Sequence, residues 1–212
     1  MDPYTHPDMG HSALITIDTQ NDFTLAHAPA HIPGTAEVIP RMCRLLQAYR
    51  KRAWPVVHVV RLYLPDGSNV DACRRHGVEQ GGHMLTPGAE GAELVEALKP
   101  QSSARLDADT LLKGEFQPLA DNEYAMYKPR WGAFYDTSLE SFLRQRDINT
   151  LVFCGCNFPN CPRTSIYEAS ERDFRLVLVT DALSQLYARG EQEMADIGVE
   201  LMTTRKLEQV IA

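Results

Sequence analysis

The sequence has no apolar run of membrane-spanning length, no basic cluster, no internal repeat and no low-complexity tract. Each absence removes a class of protein. A membrane helix needs ~20 consecutive apolar residues, which no segment supplies. Nucleic-acid binding needs a concentrated positive field, yet 21 Lys and Arg stand against 28 Asp and Glu, a formal net charge of −7. The stretch Met1 to His11 lacks the apolar centre of a secretory signal peptide. Cysteines are few and odd in number, five in 212 residues, which does not suit a secreted disulfide framework. The expectation is a protein of the reducing cytoplasm that meets a small molecule, with neither nucleic acid nor membrane as partner.

What is present is ordinary globular material, 44% hydrophobic and 23% charged, of a length that suits one domain over 1–212. Short β-branched or uniformly apolar runs alternate with longer amphipathic ones. Strands are expected at Ala13 to Ile17, Pro55 to Val60, Tyr124 to Tyr127, Thr150 to Cys156, Arg175 to Val179 and Val199 to Thr203. Helices are expected at Thr35 to Arg52, Glu90 to Leu98, Thr137 to Arg146, Pro162 to Arg172, Glu191 to Ile197 and Leu207 to Ile211. The polar, Gly- and Pro-containing stretch 65–121 reads as an insertion, lid or interface segment, and 101–121 has no assignable pattern. This alternation predicts an α/β fold in three layers, a mostly parallel six-stranded sheet with helices on both faces.

In such sheets ligands sit beyond the carboxyl ends of the strands. That rule brings together Asp18, Lys128, the loop Gly155 to Cys161 and Asp181, all far apart in sequence. In the loop, Cys161 precedes Pro162 at a helix start, a position that suits proline. Cys161 would then lie in the N-cap region, where free N–H groups and the helix dipole favour a thiolate and could hold an oxyanion. Against this stands the ordinary fate of a free cysteine, burial as a small hydrophobe. Taken singly, Asp18 reads first as a cap or turn residue and Lys128 as a solvated surface lysine; their shared position at the strand ends is what marks them. Cys154 and Cys156 point to one face of a strand and read as core, since no second pair completes a zinc site.

Three stretches in this order carry a resemblance: Ala13-Leu14-Ile15-Thr16-Ile17-Asp18-Thr19-Gln20-Asn21-Asp22-Phe23, Tyr127-Lys128-Pro129-Arg130-Trp131-Gly132-Ala133-Phe134, and Gly155 through Cys161. Together the chain resembles the isochorismatase-like cysteine hydrolase superfamily, with its Rossmann-like fold, which includes nicotinamidases, N-carbamoylsarcosine amidases, and biuret and ureidoacrylate hydrolases. The likeness extends over roughly 13–203 and is poorest in 65–121. It implies a triad of Asp18, Lys128 and Cys161, a cis peptide at Cys156-Asn157, and an oxyanion hole made by the backbone N–H groups of Asn157 and Cys161. It also implies a homo-oligomer, dimer or tetramer.

Departures from the family pattern narrow the activity. Isochorismatases cleave a vinyl ether without a thiol nucleophile, so Cys161 favours the amidohydrolase branch. Nicotinamidases carry an Asp-x-His metal motif after the second strand; here the stretch is Val56-Val57-His58-Val59-Val60-Arg61, without the Asp. His58 therefore reads as a strand histidine, Pro29 separates His27 from His31, and neither a metal nor another cofactor is expected. Phe23 and Trp131 are candidate substrate-pocket walls, with core packing as the competing role, and Phe158 in the loop is expected to shape the substrate pocket. Arg163 reads as a surface ion pair in preference to a carboxylate ligand. The function expected is cysteine-dependent hydrolysis of a C–N bond in a small amide, carbamoyl compound or ureide. The alternatives are vinyl ether hydrolysis and a non-catalytic binding role.

Overall fold

A computed structural model describes residues 2–212, and its centre is a seven-stranded sheet. The strands are β1 (Ser12–Ile17), β2 (Val56–Val60), β3 (Gln117–Ala120), β4 (Glu123–Tyr127), β5 (Thr150–Gly155), β6 (Arg175–Leu183) and β7 (Glu200–Met202). Their order is β3-β4-β2-β1-β5-β6-β7, and every pairing is parallel except β3 with β4. The helices are α1 (Asn21–Thr24), α2 (Thr35–Lys51), α3 (Ala72–Glu79), α4 (Ala108–Leu112), α5 (Leu139–Arg144), α6 (Cys161–Ser170), α7 (Ala188–Asp196) and α8 (Thr204–Val210).

The apolar runs of β1, β2 and β5 are buried at every position, as a sheet covered on both faces demands. Side chains alternate between two cores. Ala13, Ile15, Ile17, Leu151 and Phe153 face α5, α6 and α7, with Phe142, Ile166 and Met194 opposite them. Leu14, Val152 and Cys154 face α2 and α8, packing on Met42, Leu45, Leu46 and Leu207.

The fold class is the expected one, with corrections in detail. The seventh strand, β3, lies in the stretch that showed no pattern. It is a four-residue antiparallel edge strand containing Pro118, which only an edge tolerates, and it carries no alternation to read. The helix expected at Glu90 to Leu98 is two separate 3₁₀ turns, Glu90–Ala92 and Glu96–Leu98, because Glu93 and Val95 are extended or non-helical between them. Strand β6 runs four residues past Val179, so Asp181 lies inside it. There Asp181 accepts hydrogen bonds from the Thr204 backbone and hydroxyl at 2.7 and 2.8 Å. It pins the start of α8 and takes no part in the site.

A polar network crosses the α2 face. His58, fully buried, bonds Thr16 Oγ1 through Nδ1 and Glu123 Oε1 through Nε2, both at 2.8 Å. Glu123 also accepts two hydrogen bonds from Arg50 of α2. Burial would push the Glu123 carboxyl up, but the Arg50 and His58 hydrogen bonds and charges prevail and hold it near 2. Both ring nitrogens of His58 are thus committed inside the core.

Candidate active site

Because β4, β2, β1 and β5 are neighbours and parallel, their carboxyl ends form one rim. Asp18 follows β1 at φ 52°, a left-handed conformation that Asp tolerates better than most residues. Its N–H donates to Val59 O at 2.9 Å, which ties the turn to the neighbouring strand. Lys128 follows β4, its N–H donating to Val60 O at 3.0 Å. Its ammonium lies 3.0 Å from Asp18 Oδ2 and donates to Arg130 O at 3.2 Å. Lys128 is fully buried and Asp18 2% exposed. A desolvated ion pair of this kind is weak evidence for stability and better evidence for use.

The residues after Asp18 are clamps. The buried Gln20 amide donates to Arg61 O and Ala92 O and accepts from Arg61 N, so one side chain fastens the end of β2. Asn21 donates to Glu90 O, and Asp22 accepts from Leu85 N. This motif therefore holds the 65–121 segment against the sheet.

At the end of β5, Gly155 has φ 125° and packs so closely on Ile17 that a Cβ would fall on the Ile17 carbonyl. The Cys156-Asn157 peptide is cis. Cys156, fully buried, donates its thiol to Asp18 O at 3.0 Å. Phe158 sits in the core, not at a pocket wall: it is fully buried, meets Tyr187 edge-on at 5.4 Å, and occupies the space beside Gly190 of α7. Its N–H donates to Ser184 O at 2.9 Å, so Phe158 anchors the loop from beneath. Asn160 is the N-cap of α6 and Cys161 its first helical residue, one position further in than the sequence suggests. Among the described residues, the N–H groups of Asn157 and Cys161 have no protein acceptor, whereas those of Phe158 and Asn160 are used.

Cys161 is 4% exposed. The expectation of a thiolate stabilised by the helix start does not describe its resting form. Burial, followed by the negative charge and hydrogen bonding of Asp18, pushes the thiol up to about 11, although Lys128 and Arg61 pull the other way. Among the described residues Asp18 Oδ1 has no other hydrogen-bond partner, leaving a free acceptor on the carboxylate that faces the sulphur. The arrangement holds a proton on sulphur with a carboxylate beside it.

Phe23 is 2% exposed and Trp131 half-buried, and both line the space around a residue the motifs did not indicate. Arg74 of α3 lies over Trp131 at 5.0 Å and over Phe23 at 5.9 Å. Its Nη1 donates to Tyr63 Oη at 2.8 Å, and Tyr63 donates to Asp71 Oδ2 at 2.9 Å. Asp71 also pairs with the fully buried Arg61 at 2.6 Å. Arg61, Tyr63, Asp71 and Arg74 thus form one chain of contacts at the rim. Arg61 ends the β2 run and was legible as a charge after an apolar strand; the others sit in polar sequence with no signal.

A surface cleft of about 400 Å³ opens over the loop, lined by His31, Ile32, Cys73, Arg74, Asn157 and Asn160 among others. Arg163 points away from the site, bonding Glu193 at 2.6 Å and Tyr187 Oη at 2.8 Å. No cluster of three or more metal-binding side chains occurs among the described residues.

Comparison with known proteins places the chain in a family. The isochorismatase domain model matches residues 12–108 and 105–206. A protein of Arabidopsis thaliana named "Probable inactive nicotinamidase" is 29% identical over 95% of this chain and 96% of its own. The ureidoacrylate amidohydrolase RutB of Methylorubrum extorquens AM1 is 30% identical over 91% of this chain and 77% of its own. The crystal structure of an isochorismatase family protein from Desulfovibrio vulgaris superposes with a TM-score of 0.81 at 32% identity, covering 95% of this chain and 98% of that one. The chain belongs to the isochorismatase family of hydrolases.

Proposed function

We propose that the protein is a cysteine-dependent amidohydrolase that cleaves a C–N bond of a small amide, carbamoyl compound or ureide. One observation carries this reading: a buried thiol faces a carboxylate whose free oxygen can take its proton, with an ammonium on the carboxylate's other oxygen. Asp18 removes the proton as sulphur attacks the carbonyl carbon, so thiolate forms only as it is consumed. Lys128 stabilises Asp18 in its charged form and orients it. The tetrahedral oxyanion is received by the Asn157 and Cys161 N–H groups, which are worth roughly 3 kcal/mol each in comparable sites. Protonated Asp18 then gives its proton to the departing nitrogen. The S–C bond is cleaved by a water that Asp18 deprotonates, restoring thiol and carboxylate.

The name of the Methylorubrum relative supports the C–N reading. The test is an ammonia-release screen over amides, N-carbamoyl compounds and ureides, with Cys161→Ala as control. Turnover that vanishes in the variant is the expected result; equal turnover in both proteins would overturn it. A second reading, a non-catalytic binding member, draws on the 4% exposure of Cys161 and its raised thiol. Trapping of an S-acyl or S-carbamoyl enzyme by rapid acid quench and mass spectrometry excludes that reading.

A further inference from the structure

Resting on the hydrolase reading, we propose that Arg74, backed by Arg61, binds a carboxylate on the substrate, so that anionic N-carbamoyl compounds are taken in preference to neutral ureas and amides. Three independent observations lead there. Arg61 is fully buried, yet only its Nη2 is paired, to Asp71; Nε and Nη1 have no partner among the described residues. Buried guanidinium donors without acceptors are costly unless something supplies the acceptors. Its side chain lies over Trp131 at 5.6 Å, and its charge acts on both Asp18 and Cys161, so it belongs to this site.

Arg74 belongs both to the solvent cleft and to the surroundings of Cys161. It lines the cleft together with Asn157 and Asn160, and its charge acts on Cys161. Its guanidinium carbon lies over the Phe23 and Trp131 rings at 5.9 and 5.0 Å, and one terminal nitrogen donates to Tyr63. A guanidinium held on one nitrogen keeps further N–H donors in a fixed fork, which is the chemistry that recognises a carboxylate.

The charge balance points the same way. Lys128, Arg61 and Arg74 are three cations, and Asp18 and Asp71 are the two carboxylates paired among them. The unmatched positive charge is that of the half-buried Arg74, which forms no salt bridge among the described residues and lines the cleft. An anion that approached Lys128 would meet Asp18, so the place for it is the Arg74 side, with its carbamoyl end directed to Cys161.

The test compares N-carbamoylglycine with isobutylurea, which keeps the carbamoyl group and replaces the carboxylate by a neutral group of similar shape. For the wild type, kcat/KM is expected to favour N-carbamoylglycine by at least ~100-fold. Arg74→Gln should reduce that preference by at least ~30-fold, chiefly through KM, and Arg74→Lys should retain part of it. A wild-type ratio near one, or equal losses on both compounds in Arg74→Gln, would overturn the proposal. Calorimetric binding to Cys161→Ala separates this idea from the hydrolase reading. Selective binding of N-carbamoylglycine, weakened by Arg74→Gln, with no wild-type turnover of any compound in the ammonia-release screen would sink the hydrolase and leave the anion site. Equal or absent affinity for both compounds would sink the anion site.

Discussion

At the scale of single residues, the site depends on protons held in unfavourable places. The Cys161 thiol, pushed up to about 11 by burial and by Asp18, remains protonated at neutral pH. Iodoacetamide at pH 7 is therefore expected to modify the exposed Cys73 well before Cys161, with Cys161 labelling rising as pH approaches about 11. Peptide mass spectrometry reads both sites, and rapid labelling of Cys161 at pH 7 would contradict a protonated resting sulphur. Asp18→Asn keeps the shape and removes the proton acceptor. It should lower kcat by at least ~100-fold with a much smaller change in KM, measured on whichever substrate the ammonia screen identifies. Asp18, Lys128 and Cys161 were legible because each ends an apolar strand or opens a helix after one. Phe158 lies in the core and not in a pocket wall, and an aromatic in a Gly- and Pro-containing loop reads alike in sequence for either place. Only the position of Gly190 and Tyr187 beside it decides.

At the scale of elements, the junction of β5 with the loop that leads to Cys161 is a point of close backbone approach. Gly155 combines a positive φ with backbone contact on Ile17, the residue before Asp18. Gly155→Ala should cost about 2–4 kcal/mol and displace the Asp18 turn together with the loop. Urea unfolding gives the stability change, and kcat of the surviving folded fraction gives the displacement; a variant as stable and active as wild type would show that the strands part freely. The element least legible in sequence was α3. Of its eight residues only Val78 is buried, so no apolar stripe marks it as a helix. It is held by polar contacts, Arg75 to Val70 O and Arg74 to Tyr63, which leave no periodic trace.

At the scale of the whole molecule, the Glu123 network joins α2, β2 and β4 on the face away from the site. Glu123 has a folded value near 2 against an ordinary 4.5, so its contribution is fully present above pH 4.5 and is lost as pH falls through about 2. Glu123→Gln should cost about 3 kcal/mol at pH 7, because Arg50 and His58 lose a buried anionic acceptor. The gap between variant and wild-type urea midpoints should close as pH is lowered from 4.5 toward 2; a gap constant with pH would mean that Glu123 is not ionised in the fold.

The sequence by itself determined the parallel α/β layout, since uniformly apolar runs of strand length must be buried on both faces, and it determined which side chains end those strands. The tertiary structure decided the rest. Strand order made four of those ends neighbours and sent Asp181 to cap a helix, and long-range polar contacts placed Arg61 and Arg74 beside Cys161. Apolar periodicity is local and survives in one dimension; charge pairing between distant segments has no period and exists only once the chain has folded.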